Sequence, residues 1–279
     1  MSYSLSKKLL FGALAPIVFA SQCFAADISH SLRNNTQESD EPEDYFELGV
    51  AVGAGIGPSL TDEDGKGIGA GLVVNGSYNW NGFFVDVFGE SRDPVVFGYN
   101  AYNADNWSFD VILAPLFAGF DEDTDSRFVG IDKRKSTMML GGRLTGYWGK
   151  NIFQLTIKHD VTGEHGGTTA SALIGQNWQY RNWNFHGMAG LAFSDSRIND
   201  YYLGITDAEA ARTMFSAYDG NASYGAYSEV GVTYPITEDW IFRSTVRLGA
   251  DLSDSHDSPL FVNDRAYWSS FNTSISYVF

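Results

Sequence analysis

The sequence predicts an all-β fold: an antiparallel transmembrane β-barrel, of twelve strands by our count, with short periplasmic turns and longer extracellular loops. Three observations predict it. Residues 264–279 read DRAYWSSFNTSISYVF. Tyr267, Phe271, Ile275, Tyr277 and Phe279 fall on one face and Ser270, Asn272, Ser274 and Ser276 on the other, the period-2 pattern of a strand wet on one side only. The connections between such segments alternate in length, short then long, as a barrel with both ends in the periplasm requires. After residue 25 no stretch is long and apolar enough for a membrane helix, whereas alternating strands conceal membrane character from average hydropathy.

The elements follow in order. Lys7 and Lys8, an apolar run from Leu9 to Ala20 and the small-residue site at Ser21–Ala25 have the order of a secretory signal, with cleavage expected after Ala25. Cys23 is the single cysteine, so the mature chain is expected to hold no disulfide and no lipid anchor. Residues 26–43 are polar and acidic, and read as a flexible periplasmic lead-in. The barrel occupies residues 44–279. Its strands are expected at 44–57, 67–80, 82–90, 94–103, 107–118, 134–149, 151–161, 168–181, 183–194, 222–235, 239–252 and 265–279. Short turns at Trp80-Asn81-Gly82, Asn103–Asn106, Gly149-Lys150-Asn151, Arg181-Asn182 and Thr237–Asp239 carry hairpin chemistry. The longer connections are 58–66, 119–133, 162–167, 195–221 and 253–264; 91–93 is the brief exception.

The faces of the strands are consistent with this. In 239–252, Trp240, Phe242, Val246, Leu248 and Leu252 alternate with Arg243, Thr245, Arg247 and Asp251. In 151–161, Phe153, Leu155, Ile157 and Val161 alternate with Gln154, Thr156, Lys158 and Asp160. Segment 82–90 is blurred by Phe84 and Phe88. An Arg or Lys turned to lipid at mid-depth costs about 2–4 kcal/mol, so charged positions must face inward. Glu47, Asp86, Glu90, Asp110, Glu229 and Asp251 are thereby expected in the lumen with Arg143, Lys158, Arg243 and Arg247. Two readings stand for them: a salt-bridge network that plugs the barrel, since buried charges must pair, or a narrow pore with the arginines as selectivity elements. Trp80, Trp107, Trp148, Trp178, Tyr180, Trp183, Tyr234 and Trp240 sit near strand ends, as an interfacial girdle does.

The longest loop carries a capping box, Thr206-Asp207-Ala208-Glu209, which predicts a short helix ending before Gly220. Tyr201, Tyr202 and Leu203 would pack beneath it, making a structured cap over one mouth.

On these residues the chain resembles the MipA/OmpV family of outer-membrane proteins. The resemblance rests on YYLGITDAEAARTMFSAYDGNASY (201–224), on EVGVTYPITEDW (229–240), on Asp257-Ser258-Pro259-Leu260 and on the closing Tyr277-Val278-Phe279. It covers about residues 183–279. The family's Pro-x-Tyr-x-Gly-Ser segment after the first strand is replaced here by Gly57-Pro58-Ser59-Leu60-Thr61. The resemblance implies localisation in the outer membrane of a Gram-negative bacterium. It also implies a scaffold that brings murein enzymes together, with adhesins and envelope-stress proteins among the relatives. It carries no catalytic residues.

Composition narrows the remaining classes. The net charge is −16, and loss of Lys7 and Lys8 with the signal takes it to −18. Nucleic acid is therefore excluded as a partner, because phosphate binding needs a basic surface. The expected surroundings are outer-membrane lipid and lipopolysaccharide. Asp121–Asp125 opens like a calcium loop, but Ser126 stands where the sixth-position glycine belongs and Asp132 where the twelfth-position glutamate belongs. No metal or other cofactor is predicted. His159 and His186 lie in strands without a defensible nucleophile pattern, and Asp254-Ser255-His256-Asp257 is the kind of pair an acidic loop produces by chance. The sequence thus predicts a non-enzymatic barrel serving as a scaffold for cell-envelope partners, with a narrow pore or a surface adhesin as the alternative.

Overall fold

The computed structural model describes residues 44–61, 64–88 and 93–279. The expected signal segment, the lead-in and Glu90 lie outside these residues. Among the described residues twelve strands form one closed antiparallel barrel in which each strand pairs with its neighbours in sequence and the first with the last. They are β1 (Tyr45–Ile56), β2 (Lys66–Trp80), β3 (Phe83–Phe88), β4 (Val95–Ala104), β5 (Trp107–Leu116), β6 (Thr137–Trp148), β7 (Asn151–Asp160), β8 (Thr168–Tyr180), β9 (Trp183–Ser194), β10 (Ser223–Pro235), β11 (Trp240–Asp251) and β12 (Tyr267–Val278). The seam runs from Glu47 opposite Val278 to Ile56 opposite Ser269. Closure leaves no sheet edge there, the condition for carrying backbone amides through hydrocarbon.

The apolar faces point outward. Val50, Val52, Leu72, Phe97, Ile157, Ile174, Leu191, Val230, Leu248 and Phe271 are all well exposed, which is stable only where the solvent is lipid. A ring belt marks the end where the turns are short. Trp107 meets Trp148 edge to face at 5.2 Å, Trp183 meets Tyr234 at 4.5 Å, and Trp240 meets Tyr277 at 5.3 Å. At the Asn81-Gly82 turn both residues have positive φ, so the Asn-Gly pair suits the mirror-image turn that the strand twist prefers.

The shortest described strand is β3, which pairs with β2 over Asn75–Trp80. Its blurred pattern has a packing cause. Phe84 and Phe88 turn into the lumen and are buried. The Phe84 ring lies over Gly98 of the neighbouring strand, where any Cβ would collide with it. Phe84 joins Val96, Ile112 and Ala114 in one apolar lumen cluster. Across the barrel Ile152, Leu173, Met188, Tyr227 and Trp268 form another. The lumen is therefore layered, apolar beside charged, rather than uniformly polar.

Over the outer mouth the long loops contribute two helices, α1 (Ser196–Leu203) and α2 (Asp207–Ala210). The capping-box helix forms as a single turn and ends before Gly220, as expected. One expectation is corrected. Tyr201 and Tyr202 do not lie beneath it as loop residues; they belong to α1. Asp195 caps α1 by accepting from the Ile198 amide, and Ile198 and Tyr202, one turn apart, pack on Met139 of β6.

Candidate functional site: the lumen and its cap

Inside the barrel, strand register brings opposite charges from different strands together. Arg243 of β11 pairs with Glu47 of β1, across the intervening β12, and both side chains are almost fully buried. Glu47 also accepts from the Tyr45 hydroxyl at 2.9 Å. Arg143 of β6 donates through Nε to Asp110 at 3.0 Å and reaches Asp86 at 3.8 Å, with its guanidinium 5.1 Å over the Phe84 ring. Asn100 and Ser77 donate to the remaining oxygens of these two carboxylates. Lys158 of β7 binds Asp93, two residues before β4, at 2.5 Å. Glu229 of β10 lies between His186 at 2.8 Å and Arg247 at 2.5 Å.

Two members of this arrangement were not among the residues singled out by charge counting. Asp93 sits in a connection, where no period identifies a face; its only sequence signal is the Asp-Pro step before β4. His186 was visible in a strand, but only the register of β9 against β10 places it beside Glu229. Asp251 lies apart from the inner pairs. It is at the outer end of β11 and accepts from Ser253, Ser255 and His256 of its own loop.

The cap has a hydrophobic core of its own. Phe120, Phe128 and Ile131 from the β5–β6 loop, Ile205 from the β9–β10 loop and Leu260 from the β11–β12 loop are buried together, with Leu60 of the β1–β2 loop against them. Four connections thus converge over one mouth. Glu209 is their hub and is fully buried. Its carboxylate completes the capping box with Thr206, accepts from the Asp132 amide at 2.9 Å and pairs with Arg134 at 2.9 Å. Burial works to raise its pKa, but the Thr206 and Asp132 amides and the Arg134 charge outweigh that and hold it below the usual carboxylate range. Arg134 also donates to the Gly204 carbonyl. Tyr201 accepts from the Lys135 amide and Tyr202 donates to the Lys135 carbonyl, while burial pushes the Tyr202 phenol up to about 12.

One constellation in the cap has the outline of a hydrolytic triad: Thr137, His165 and Asp160. His165 Nε2 lies 3.1 Å from the Thr137 hydroxyl and Nδ1 lies 3.8 Å from Asp160. The proton is in the wrong place for catalysis. Nδ1 accepts from the Gly167 amide at 2.9 Å, so in the neutral ring Nε2 carries the hydrogen and cannot take one from Thr137. Burial lowers the His165 pKa and keeps it in that neutral form. Asp160 is occupied by Thr162 and the His165 and Gly166 amides. The cluster ties down a turn. Among the described residues no group of three or more His, Cys, Asp or Glu side chains is arranged to hold a metal ion.

The MltA-interacting protein of Escherichia coli (strain K12) is 26% identical over 249 residues, covering 83% of this chain and 97% of that protein. Outer membrane protein OmpV of Vibrio cholerae is 25% identical over 207 residues, covering 73% of this chain and 77% of the relative. A solved NanC porin aligns over 82% of this chain and 98% of its own with a TM-score of 0.43 and 9% identity. The closed barrel, its outward apolar belt and the likeness in sequence to an outer membrane protein place the protein in the outer membrane. The family model described as MltA-interacting protein MipA matches residues 50–279, and the chain belongs to that family.

Proposed function

We propose that this protein is a non-enzymatic outer-membrane scaffold: a sealed barrel that fixes a docking surface for murein-processing partners at the periplasmic face. One observation carries the reading. The lumen charges pair with each other beneath a loop core that covers the outer mouth, an arrangement suited to rigidity rather than passage. In this reading residues 1–25 direct export, and residues 26–43 with the short turns supply the surface a periplasmic enzyme meets. The relative named for its interaction with MltA supports the partner class. Crosslinking in intact cells tests it. Recovery of murein enzymes is the expected result; recovery of host or matrix ligands alone would favour an adhesin and overturn it.

A narrow pore is the second reading. It is favoured by Gly71, on the inner face of β2, where an added Cβ would meet nothing within 4 Å.

A further inference from the structure

The outward belt has a dent near its periplasmic end. Register sets Phe46 of β1 opposite Gly76 of β2, and Gly76 opposite Val87 of β3. All three positions face lipid, and the middle one has no side chain. The hollow that results measures about 460 Å³ and is walled by Phe46, Val74, Tyr78, Val87 and Phe279. That volume lies within the range of small-ligand sites. Phe279 is held in place, its amide donating to the Phe46 carbonyl at 3.0 Å and its ring 5.4 Å from the Phe46 ring. The hollow is thus a fixed feature of the wall, continuous with the surface that meets hydrocarbon.

Its rim is chemically one-sided. Among the described residues Asp44 is the only charged side chain lining it. One Asp44 oxygen accepts from the Asn79 amide at 2.7 Å, which anchors the carboxylate beside Tyr78, and the residue is exposed. Among the described residues neither lysine nor arginine lines the hollow, so the described rim offers an anionic headgroup repulsion from Asp44 and no cation. Trp80 and Phe83, next to the periplasmic turn, mark the headgroup level.

We propose that this hollow binds one phospholipid of the periplasmic leaflet through an acyl chain laid over Gly76, with an ammonium headgroup at Asp44. The apolar walls select a chain, and the carboxylate selects an ethanolamine headgroup over a glycerol one. The site is independent of the scaffold reading, since it needs only the barrel in its membrane.

Native mass spectrometry of the detergent-extracted barrel tests this, with phosphatidylethanolamine and phosphatidylglycerol supplied in equal amounts. The wild type should retain one phosphatidylethanolamine in preference to phosphatidylglycerol, by about two- to fivefold, the scale of one exposed ion pair. Val87→Trp, which lays an indole over Gly76, should lose the retained lipid. Asp44→Asn should retain a lipid but lose the headgroup preference. Heat-modifiable electrophoretic mobility reports whether each variant is folded, and Val74→Trp fills the same hollow from the other wall should Val87→Trp fail to fold. Equal retention of both lipids by the wild type, or undiminished retention by a folded filling variant, would overturn the proposal.

Discussion

Replacing Glu47 by Leu removes the carboxylate that Arg243 meets from across β12. The guanidinium stays behind, with only 5% of its side chain exposed. Losing one partner of a buried pair costs about 3–5 kcal/mol, mostly because the other charge remains desolvated. The lost interaction spans the seam at which the first and last strands meet, so the cost falls on closure itself. With a urea dependence of about 3 kcal/mol per molar, at the upper end for small proteins, the unfolding midpoint should fall by about 1–2 M. Replacing both partners, Glu47→Leu with Arg243→Met, should restore most of that loss, because apolar substitutes for a buried pair are often neutral or better. Urea titration in lipid vesicles, followed by tryptophan fluorescence, gives all the midpoints. If the single variant unfolds where the wild type does, or the double variant is no better than the single, the pair does not support the seam and the reasoning fails.

Further outcomes follow from the cap. Glu209→Ala should cost about 3–5 kcal/mol locally by stranding the buried Arg134 charge, and limited proteolysis of the outer loops should accelerate while the strands stay protected. The neutral His165 makes the cap sensitive to acid. Its folded pKa lies below the unfolded value, so the opened loop takes up a proton first and stability falls as pH drops below about 6.5. The hydrogen-exchange protection factors of residues 161–167, corrected for the intrinsic pH dependence of amide exchange, should therefore fall between pH 7.5 and 5. His165→Gln should flatten that dependence. Thr206→Ala removes the α2 cap and should cost about 1 kcal/mol, a small rise in cleavage of the same loop.

How much of this was legible beforehand depended on period. The period-2 strands gave away their number, their order and the outward face, because lipid leaves no latitude over which side is apolar. Strand β3 was the hardest because Phe84 and Phe88 face inward, and nothing local announces that Gly98 makes room for a ring. Helix α1 is not legible locally, since Ser196–Leu203 offers only a few apolar residues and its packing surface, Met139, is far away in sequence. The capping box located α2 but could not set its length. Charge counting nominated inward carboxylates and cations singly. Which of them meet is a matter of shear and register between strands, so Asp93 and His186 emerged only from the closed barrel.

The central claim is that paired lumen charges and a packed cap seal this barrel. Single-channel recording in planar bilayers tests it most directly. The account predicts a silent wild type and conducting events once Arg243→Ala and Glu209→Ala are combined to loosen seam and cap. Steady, ion-selective conductance through the unmodified protein would contradict it.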